Sequence, residues 1–149
     1  MSKQISQGVI YNEGKNRRTD YLFRISIKGL IRNDLGEVLV VKEANRDWWD
    51  LPGGGIDHGE DIKLAIAREM NEEASLEGFF EYKVIAVDEP EYLVALDLWQ
   101  LRIIFEIKPD EMTFSCGEDV GGIAFINPNT FKNSESEVER RIYKYANII

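Results

Sequence analysis

The sequence predicts a mixed α/β (α+β) domain, in which strands surround one central helix and a second helix follows near the end of the chain. Two observations support this prediction. The stretch from Asp61 to Leu76 has good helix formers, no internal glycine or proline, and acidic residues near its start. The segments on either side are rich in β-branched and aromatic residues and are separated by turn residues. Strands grouped around a few helices indicate an α/β or α+β architecture.

Length and composition favour a single globular domain over residues 1–149. A chain of 149 residues can bury a sizeable core, and 44% hydrophobic with 30% charged residues is typical of globular rather than disordered proteins. The net charge of −9 disfavours a nonspecific grip on a nucleic-acid backbone. We therefore expect no stable nucleic-acid partner.

Cysteine usage and hydropathy bear on the location of the chain. Cys116 is the only cysteine, so an intrachain disulfide is impossible, and its use as a nucleophile is disfavoured. A single cysteine and no secretory leader favour the reducing cytoplasm. No apolar run approaches membrane-spanning length, so we expect no membrane partner. A monomer and a homodimer both remain open, because the aliphatic Ile148-Ile149 end suits either a core or a dimer contact.

Upstream of the central helix, the pattern predicts strands joined by a tight turn. Residues 8–11 could form a short edge strand, and the basic cluster at 15–18 is interpreted as a solvated turn rather than a phosphate contact. Residues 21–31 and 37–42 are predicted strands, and the turn at 33–36 between them predicts a hairpin.

Downstream of the central helix, the pattern predicts four further strands and a last helix. The strands are expected at residues 79–87, 92–95, 98–107 and 123–126. Ser134 with Glu137 matches a capping box for the last helix. One face of that helix is predicted to carry Val138, Arg141, Ile142 and Tyr145.

The segment before the central helix is predicted to be a glycine-rich loop. Pro52 and four glycines, at Gly53, Gly54, Gly55 and Gly59, argue against either helix or strand there. His58 is the only histidine, and we expect it to face solvent rather than to act as a ligand.

The central helix has an unusual face. At about 100° per residue, one arc contains Ile62, Ala65, Ile66, Glu69 and Glu73. The apolar stripe therefore turns into carboxylates, and Glu69, Glu72 and Glu73 are spatial neighbours at i, i+3 and i+4. Raised pKa values or a bound hard cation such as Mg²⁺ could stabilise such a cluster. The alternative is a solvated acidic helix end in which Arg68 pairs with Glu72.

Together, the loop and the helix resemble the signature of the Nudix hydrolases. The match runs from Gly54 through Glu60 to Arg68-Glu69-Met70-Asn71-Glu72-Glu73, and the family's box covers residues 54–76. The lead-in Trp49-Asp50-Leu51-Pro52-Gly53-Gly54 is also similar to the family's. Ser75 stands where the family has a glycine, which concerns the end of the helix more than its chemistry.

The resemblance implies a fold, a reaction and a cation. The fold would be a mixed sheet between helices, with the box as a loop–helix–loop unit beside a cleft. The reaction would be hydrolysis of a phosphoric anhydride bond in a nucleoside diphosphate linked to another group, dependent on Mg²⁺, with Mn²⁺ as a possible substitute. Glu69, Glu72 and Glu73 would bind metal or, for one of them, activate water, and Arg68 would orient Glu69.

Other candidate site residues come from the loops. The Gly54 carbonyl could be a metal ligand, and Gly53, Gly54 and Glu60 would lie at the substrate. For Glu60, a structural role is as plausible as ligation. A further acid from a late loop is expected to be Glu118, with Glu111 and Asp119 as alternatives.

Several substrates and one different class of function remain open. The expected partner is a small-molecule nucleotide, and a nucleoside triphosphate pyrophosphohydrolase is favoured. Pro90 and Tyr92 follow the box at spacings loosely like those of ADP-sugar and dinucleoside polyphosphate hydrolases. A Nudix-like module that binds nucleotide or metal without turnover is the other class, and the intact glutamates argue against it.

Overall fold

A computed structural model describes residues 2–6, 9–12, 14 and 19–148 of the chain. Its strands, in chain order, are β1 (Ser2–Ser6), β2 (Val9–Asn12), β3 (Thr19–Tyr21), β4 (Phe23–Leu30), β5 (Val38–Glu43), β6 (Gly53–Gly55), β7 (Phe80–Val87), β8 (Glu91–Leu93), β9 (Leu98–Pro109) and β10 (Val120–Ile126). The helices are α1 (Ile62–Ala74) and α2 (Glu137–Ala146), with a 3-10 helix at Pro128–Phe131. Within these residues, no helix combines the length and the apolar character needed to cross a bilayer.

The main sheet has five strands and mixed directions. Its order is β6-β4-β9-β7. The short β8 also pairs with β9, on the edge of β9 that pairs with β7. β4 and β9 are parallel, with Phe23 opposite Trp99, and the other pairs are antiparallel. Separately, β5 pairs with β10, and β1, β2 and β3 form an antiparallel sheet.

The main sheet lies between the two helices, as predicted. One buried cluster joins α1 to one face of the sheet, through Ile66 and Met70 against Ile27 and Phe105. A second cluster joins α2 to the opposite face, through Ile142 against Leu30 and Ile104. Neighbouring residues of β9 thus point to opposite clusters, as the period of two in a strand requires.

The predicted hairpin between residues 21–31 and 37–42 is wrong beyond its turn. The Asn33–Glu37 turn forms, and Arg32 bridges Val38, but β4 and β5 then diverge into different sheets. The reason is that both edges of β4 are already used, one by β6 and the other by β9. β5 therefore pairs with β10 instead.

The prediction that the glycine segment forms no strand is also wrong. Gly53–Gly55 is β6, paired antiparallel with Ser26–Lys28 of β4. Glycine has little strand propensity of its own, so tertiary contacts impose this strand. A Cβ added at Gly53, whose φ is +148°, would lie 2.0 Å from the Ile27 carbonyl oxygen, so only glycine allows the two backbones this close.

Helix α1 starts and ends close to its predicted limits. Asp61 caps its first turn by accepting from the Leu64 N–H, and Ser75 ends it at φ 58°. The Ser75 N–H donates to the Asn71 carbonyl oxygen, which is the single bond of an αL cap, and the Leu76 N–H donates to the Met70 carbonyl oxygen. Ser75, which stands where the family has a glycine, is thus the residue of this turn that has a left-handed backbone. The buried face also differs slightly from the prediction, since Ile62 is exposed and Met70 is buried.

Two predictions near the chain ends need correction. The N-cap of α2 is Ser136 rather than Ser134, and the Ser136 Oγ accepts from the Glu139 N–H. Of the predicted strand at residues 8–11, the described part lies in β2, in the middle of its sheet rather than at an edge. Gly8 and the basic cluster at 15–18 lie outside the described residues.

Candidate active site

The Arg68 guanidinium is the centre of the candidate site. Its Nε and Nη2 donate to the two oxygens of Glu60, at 2.8 and 2.9 Å. Its Nη1 donates to Glu69 at 2.9 Å and, at a longer 3.4 Å, to Glu72. Its Nη2 also donates to the Gly55 carbonyl oxygen at 3.0 Å, so Arg68 ties α1 to β6. Bidentate pairing of this kind fixes the plane of the guanidinium.

Glu60 is therefore paired with Arg68, which favours a structural role for this carboxylate. The hydrogen bonds from Arg68 lower the pKa of Glu60 to about 2, and the Asp57 N–H adds to this effect. The same contact raises the pKa of Arg68 further above its ordinary value. Both groups stay charged at any physiological pH, so this pair is a permanent anchor for the site.

Glu69 is buried, with 7% of its surface exposed. Burial raises the pKa of its carboxyl, and the ion pair with Arg68 offsets only part of that rise. Gly54 lies directly against it, because a Cβ at Gly54 would be 2.6 Å from the Glu69 Oε1. Any side chain at position 54 would displace the carboxylate, which explains the glycine there.

Glu73 faces the other end of the glycine strand. Its Oε2 accepts from the Gly53 N–H at 3.2 Å. Burial raises the pKa of Glu73 to about 7, although the nearby Lys28 charge and the Gly53 N–H act in the opposite direction. A small recess beside this carboxylate is lined by Lys28, Val41, Glu43, Arg46, Trp48, Asp50, Leu51 and Glu73.

Glu72 and Glu118 are exposed, as are the alternative acids Glu111 and Asp119. The Glu72 side chain is 58% exposed, and its ion pair among the described residues is the long contact to Arg68. Glu118 is exposed, and its neighbour Gly117 donates its N–H to the Glu73 carbonyl oxygen at 3.1 Å. A Cβ at Gly117 would lie 1.6 Å from the Glu72 carbonyl oxygen. This close approach brings the late loop to the C-terminal end of α1. Glu118 is the next residue after Gly117, so its backbone also lies near that end of the helix.

The carboxylates do not form a ready-made metal site in this arrangement. Across the described ranges, no three His, Cys, Asp or Glu side chains are grouped so as to hold a metal ion. Arg68 lies among the oxygens of Glu60, Glu69 and Glu72, and Glu73 turns to Gly53. The exposed Glu72 has the freedom to turn without breaking any short contact.

Two residues at this site escaped the sequence interpretation. Lys28, on β4, donates to Asp50 at 2.9 Å and to the Leu51 carbonyl oxygen at 3.2 Å, and it lies near Glu73. The only local signal was a lysine within a predicted strand, where it alternates with apolar residues as Arg24 and Ser26 do. Asp50 belongs to the predicted lead-in to the box, but no spacing rule links it to Lys28, which is 22 residues away.

A second charged cluster lies where β7, β9 and α2 meet. Arg102, which is 6% exposed, donates to Asp88 at 3.2 Å and to Glu91 at 2.9 Å. Lys144 and the Tyr145 hydroxyl, both on α2, also donate to Asp88. This cluster connects the last helix to the sheet and shares no residue with the Arg68 cluster.

Sequence comparison finds relatives of this chain among known proteins. The chain is 41% identical over 71 residues to an RNA pyrophosphohydrolase of Ruthia magnifica subsp. Calyptogena magnifica, which covers 48% of this chain and 38% of that protein. It is 42% identical over 55 residues to one of Ectopseudomonas mendocina (strain ymp), covering 37% and 35%. The matches thus span little more than a third of either relative.

Solved structures share the fold. The MutT protein of Methanosarcina mazei Go1 superposes with a TM-score of 0.68 at 21% identity, covering 83% of this chain and 92% of that one. A MutT NUDIX hydrolase of Burkholderia pseudomallei gives 0.67 at 17% identity, covering 83% and 98%. The family model described as "NUDIX domain" matches residues 22–145, which is most of the chain. The chain therefore belongs to the NUDIX family.

Proposed function

We propose that this protein is a pyrophosphohydrolase, which cleaves a phosphoric anhydride bond of a nucleotide with water. The observation that carries the proposal is the buried Glu69, fixed by Arg68 on one side and by the close approach of Gly54 on the other. The NUDIX membership and the names of the two relatives support it. The proposal also takes residues 1–149 as one domain acting in the cytoplasm.

The chain's own residues account for the positioning of the reaction. Glu69 is the proposed base, because its desolvated carboxylate has a raised pKa and can accept a proton from the attacking water. Arg68 would hold Glu69 in place, and Glu60 would hold Arg68. The space of the missing side chains is filled by the Ile27 carbonyl at Gly53 and by Glu69 at Gly54, so a substrate phosphate would meet these glycines through their backbone groups alone.

A divalent cation fits the donors that surround this site. Glu69, Glu72, Glu73 and the Gly54 carbonyl offer only oxygen atoms, which Mg²⁺ or Mn²⁺ prefers, and Glu118 could add another. Negative charge exceeds positive charge there, since the carboxylates of Glu60, Glu69, Glu72 and Glu73 outnumber the cations of Arg68 and Lys28. When bound, the cation would neutralise charge on the phosphate oxygens of the substrate.

Two substrate classes follow from different observations. The first is a nucleoside triphosphate, which water would cleave to a nucleoside monophosphate and pyrophosphate. The second is the 5′-triphosphate end of an RNA, which is favoured by the name that both relatives carry. The net charge of −9 argues against tight binding along an RNA backbone, so recognition would be limited to the terminal nucleotides.

A single substrate panel tests the proposal. Product release would be measured by ion-exchange chromatography for nucleoside triphosphates, 5′-triphosphorylated RNA, ADP-ribose and diadenosine polyphosphates, each with Mg²⁺, with Mn²⁺ and with excess EDTA. Chromatography is needed because the last two substrates yield nucleotides or a sugar phosphate rather than free phosphate or pyrophosphate. We expect cation-dependent release from one class, lost in Glu69→Gln. The matched control is Glu77→Gln, which makes the same charge change at an exposed residue just beyond α1. Equal activity of Glu69→Gln and the control, or no release from any substrate, would contradict the proposal.

A further inference from the structure

β7 forms the outer edge of the main sheet. Its inner edge pairs with β9, and no other strand of the described residues pairs with it. Three apolar side chains of this strand, Tyr82, Val84 and Val87, are 39%, 54% and 59% exposed. An eight-residue edge strand with exposed apolar side chains is a template for pairing with another strand.

A hydrogen bond beside the first residue of β7 shows which of its backbone groups point toward β9 and which point outward. The Asp110 N–H donates to the Phe79 carbonyl oxygen at 3.0 Å, so these opposite residues form a hydrogen-bonded pair. Because such pairs alternate along antiparallel strands, Glu81 and Lys83 also direct their backbone groups toward β9. The next pair, Phe80 with Pro109, is then a non-bonded one, which suits a proline that has no N–H.

The outward backbone groups therefore belong to Phe80, Tyr82 and Val84. Beyond them, the register with β9 shifts between Val84 and Ala86, and this bulge ends the regular edge. The free edge thus offers three N–H and three C=O groups over five residues. Antiparallel pairing with an identical edge would place Tyr82 opposite its own copy, with Phe80 opposite Val84.

The side chains match in the same register. Opposed residues in an antiparallel pair point to one face of the sheet, with Cβ atoms about 5 Å apart. Glu81 would then face Lys83 of the second copy, and Lys83 would face Glu81. On the other face, the aromatic Phe80 would meet the β-branched Val84, which is a favourable cross-strand combination. Lys83 is 63% exposed and pairs with the buried Glu106 at 3.6 Å, and Lys108 lies 3.8 Å from the same carboxylate. Lys108 would therefore remain as a partner of Glu106 when Lys83 turns to Glu81 of the second copy.

We propose that two copies of this chain associate through β7, antiparallel about a two-fold axis at Tyr82, to form one continuous sheet. The occupant is a second copy because the edge is complementary to itself, in hydrogen bonding, in charge and in apolar contacts. This surface is separate from Arg68 and its carboxylates, so the dimer leaves both candidate active sites unchanged.

Charge reversals at the two facing positions test the register. Sedimentation velocity of the full chain would be run over a concentration series for the parent, Glu81→Lys, Lys83→Glu and the double variant. We expect the parent to approach twice the chain mass of 17.2 kDa. Each single reversal should weaken association by about 30-fold, because two symmetry-related pairs become repulsive. The double variant should dimerise like the parent.

A mixture of the two single variants gives the sharpest result. One variant then presents two lysines and the other two glutamates, so an equimolar mixture should form heterodimers while each variant alone stays monomeric. Glu135→Lys, an exposed charge reversal beside α2, is the control for net charge and should leave the dimer intact. Circular dichroism and hydrolytic activity verify that each variant is folded. A monomeric parent at its highest soluble concentration, or a dimer indifferent to both reversals, would overturn the proposal.

Discussion

Two charged clusters on the main sheet contain an arginine surrounded by carboxylates, but their charge balance differs. Around Arg68 lie Glu60, Glu69, Glu72 and, at 3.5 Å, Asp57. Around Arg102 lie Asp88 and Glu91, which also pair with Lys144 and Arg141, and Arg141 pairs in turn with Glu137. The first cluster has an excess of negative charge, whereas the three positive and three negative charges of the second balance.

The carboxyl pKa values show what each arginine neutralises. Arg68 lowers the pKa of Glu60, whereas burial raises the pKa of Glu69 and of the neighbouring Glu73. In the Arg102 cluster, burial also acts to raise the pKa of Asp88, but hydrogen bonds from Tyr145 and Lys144 lower it below its ordinary value. A buried charge that the protein neutralises fully serves stability, whereas an incompletely neutralised one is suited to accept a cation.

The largest effect is expected from Glu73→Gln, which removes one carboxylate of the unbalanced cluster. Glutamine keeps the shape and the helix propensity, so turnover should fall by about 10²- to 10³-fold through loss of charge stabilisation at the phosphoryl group. Without metal, the variant should be at least as stable as the parent. Thermal melts with and without Mg²⁺, beside an activity assay, would measure both. Equal Mg²⁺ stabilisation of parent and variant, with activity retained, would exclude Glu73 as a ligand.

Arg102→Leu should have the opposite profile, with a large loss of stability and little direct effect on chemistry. It leaves Asp88 and Glu91 without their buried guanidinium, which we expect to cost about 3 kcal/mol in the free energy of unfolding. Urea denaturation would measure it, with activity assayed below the transition. The control Lys144→Ala removes a contact whose lysine is 61% exposed and should cost under about 1 kcal/mol. Equal losses in both variants would refute the distinction.

The pH dependence of stability should separate the clusters. Glu73 has an ordinary pKa of 4.5 and a folded pKa of about 7, so between these values the folded state binds more protons than the unfolded state. Stability of the metal-free protein should therefore fall by about 2–3 kcal/mol as pH rises from 4.5 to 7. Glu73→Gln should remove this decline, as urea titrations in EDTA at several pH values would reveal.

Asp88 should produce the reverse trend in a different range. Its folded pKa lies below the ordinary 3.8, so its stabilising contribution is complete above that value and is lost as pH falls below it. Asp88→Asn should reduce this acid limb without removing it, because Glu60, whose folded pKa is about 2, contributes over the same range. An acid limb that is unchanged in this variant would contradict the assignment.

The smallest expected effect is at Ser75, at the end of the helix that carries the unbalanced cluster. Its φ of 58° is costly for a residue with a Cβ, so Ser75→Gly should stabilise the protein by about 1 kcal/mol. Because no charge changes, turnover should stay within about twofold of the parent. A Tm series together with kcat would measure both. A marked change in turnover would mean that helix stability, rather than charge, limits the site.

Local patterns predicted the helix and its acidic face, because a period of 3.6 brings Glu69 and Glu73 onto the side that also carries Ile66. The fold class followed from similar patterns. The glycine strand could not be predicted, since its pairing depends on β4 rather than on its own residues. Lys28 and Arg102 show the same limit, because the position of a charged residue within a strand does not name the partner it contacts.

The parallel pairing of β4 with β9 has a consequence for the order of folding. Each β4 residue pairs with one 76 positions later, as Phe23 does with Trp99, so this contact closes a long loop at a substantial entropic cost. The glycine strand and α1 both lie inside that loop. During synthesis, the sheet that supports them cannot be completed until β9 has left the ribosome. We therefore expect the candidate active site to become ordered late, after most of the chain has been made, with folding slower than in a helical protein of equal length.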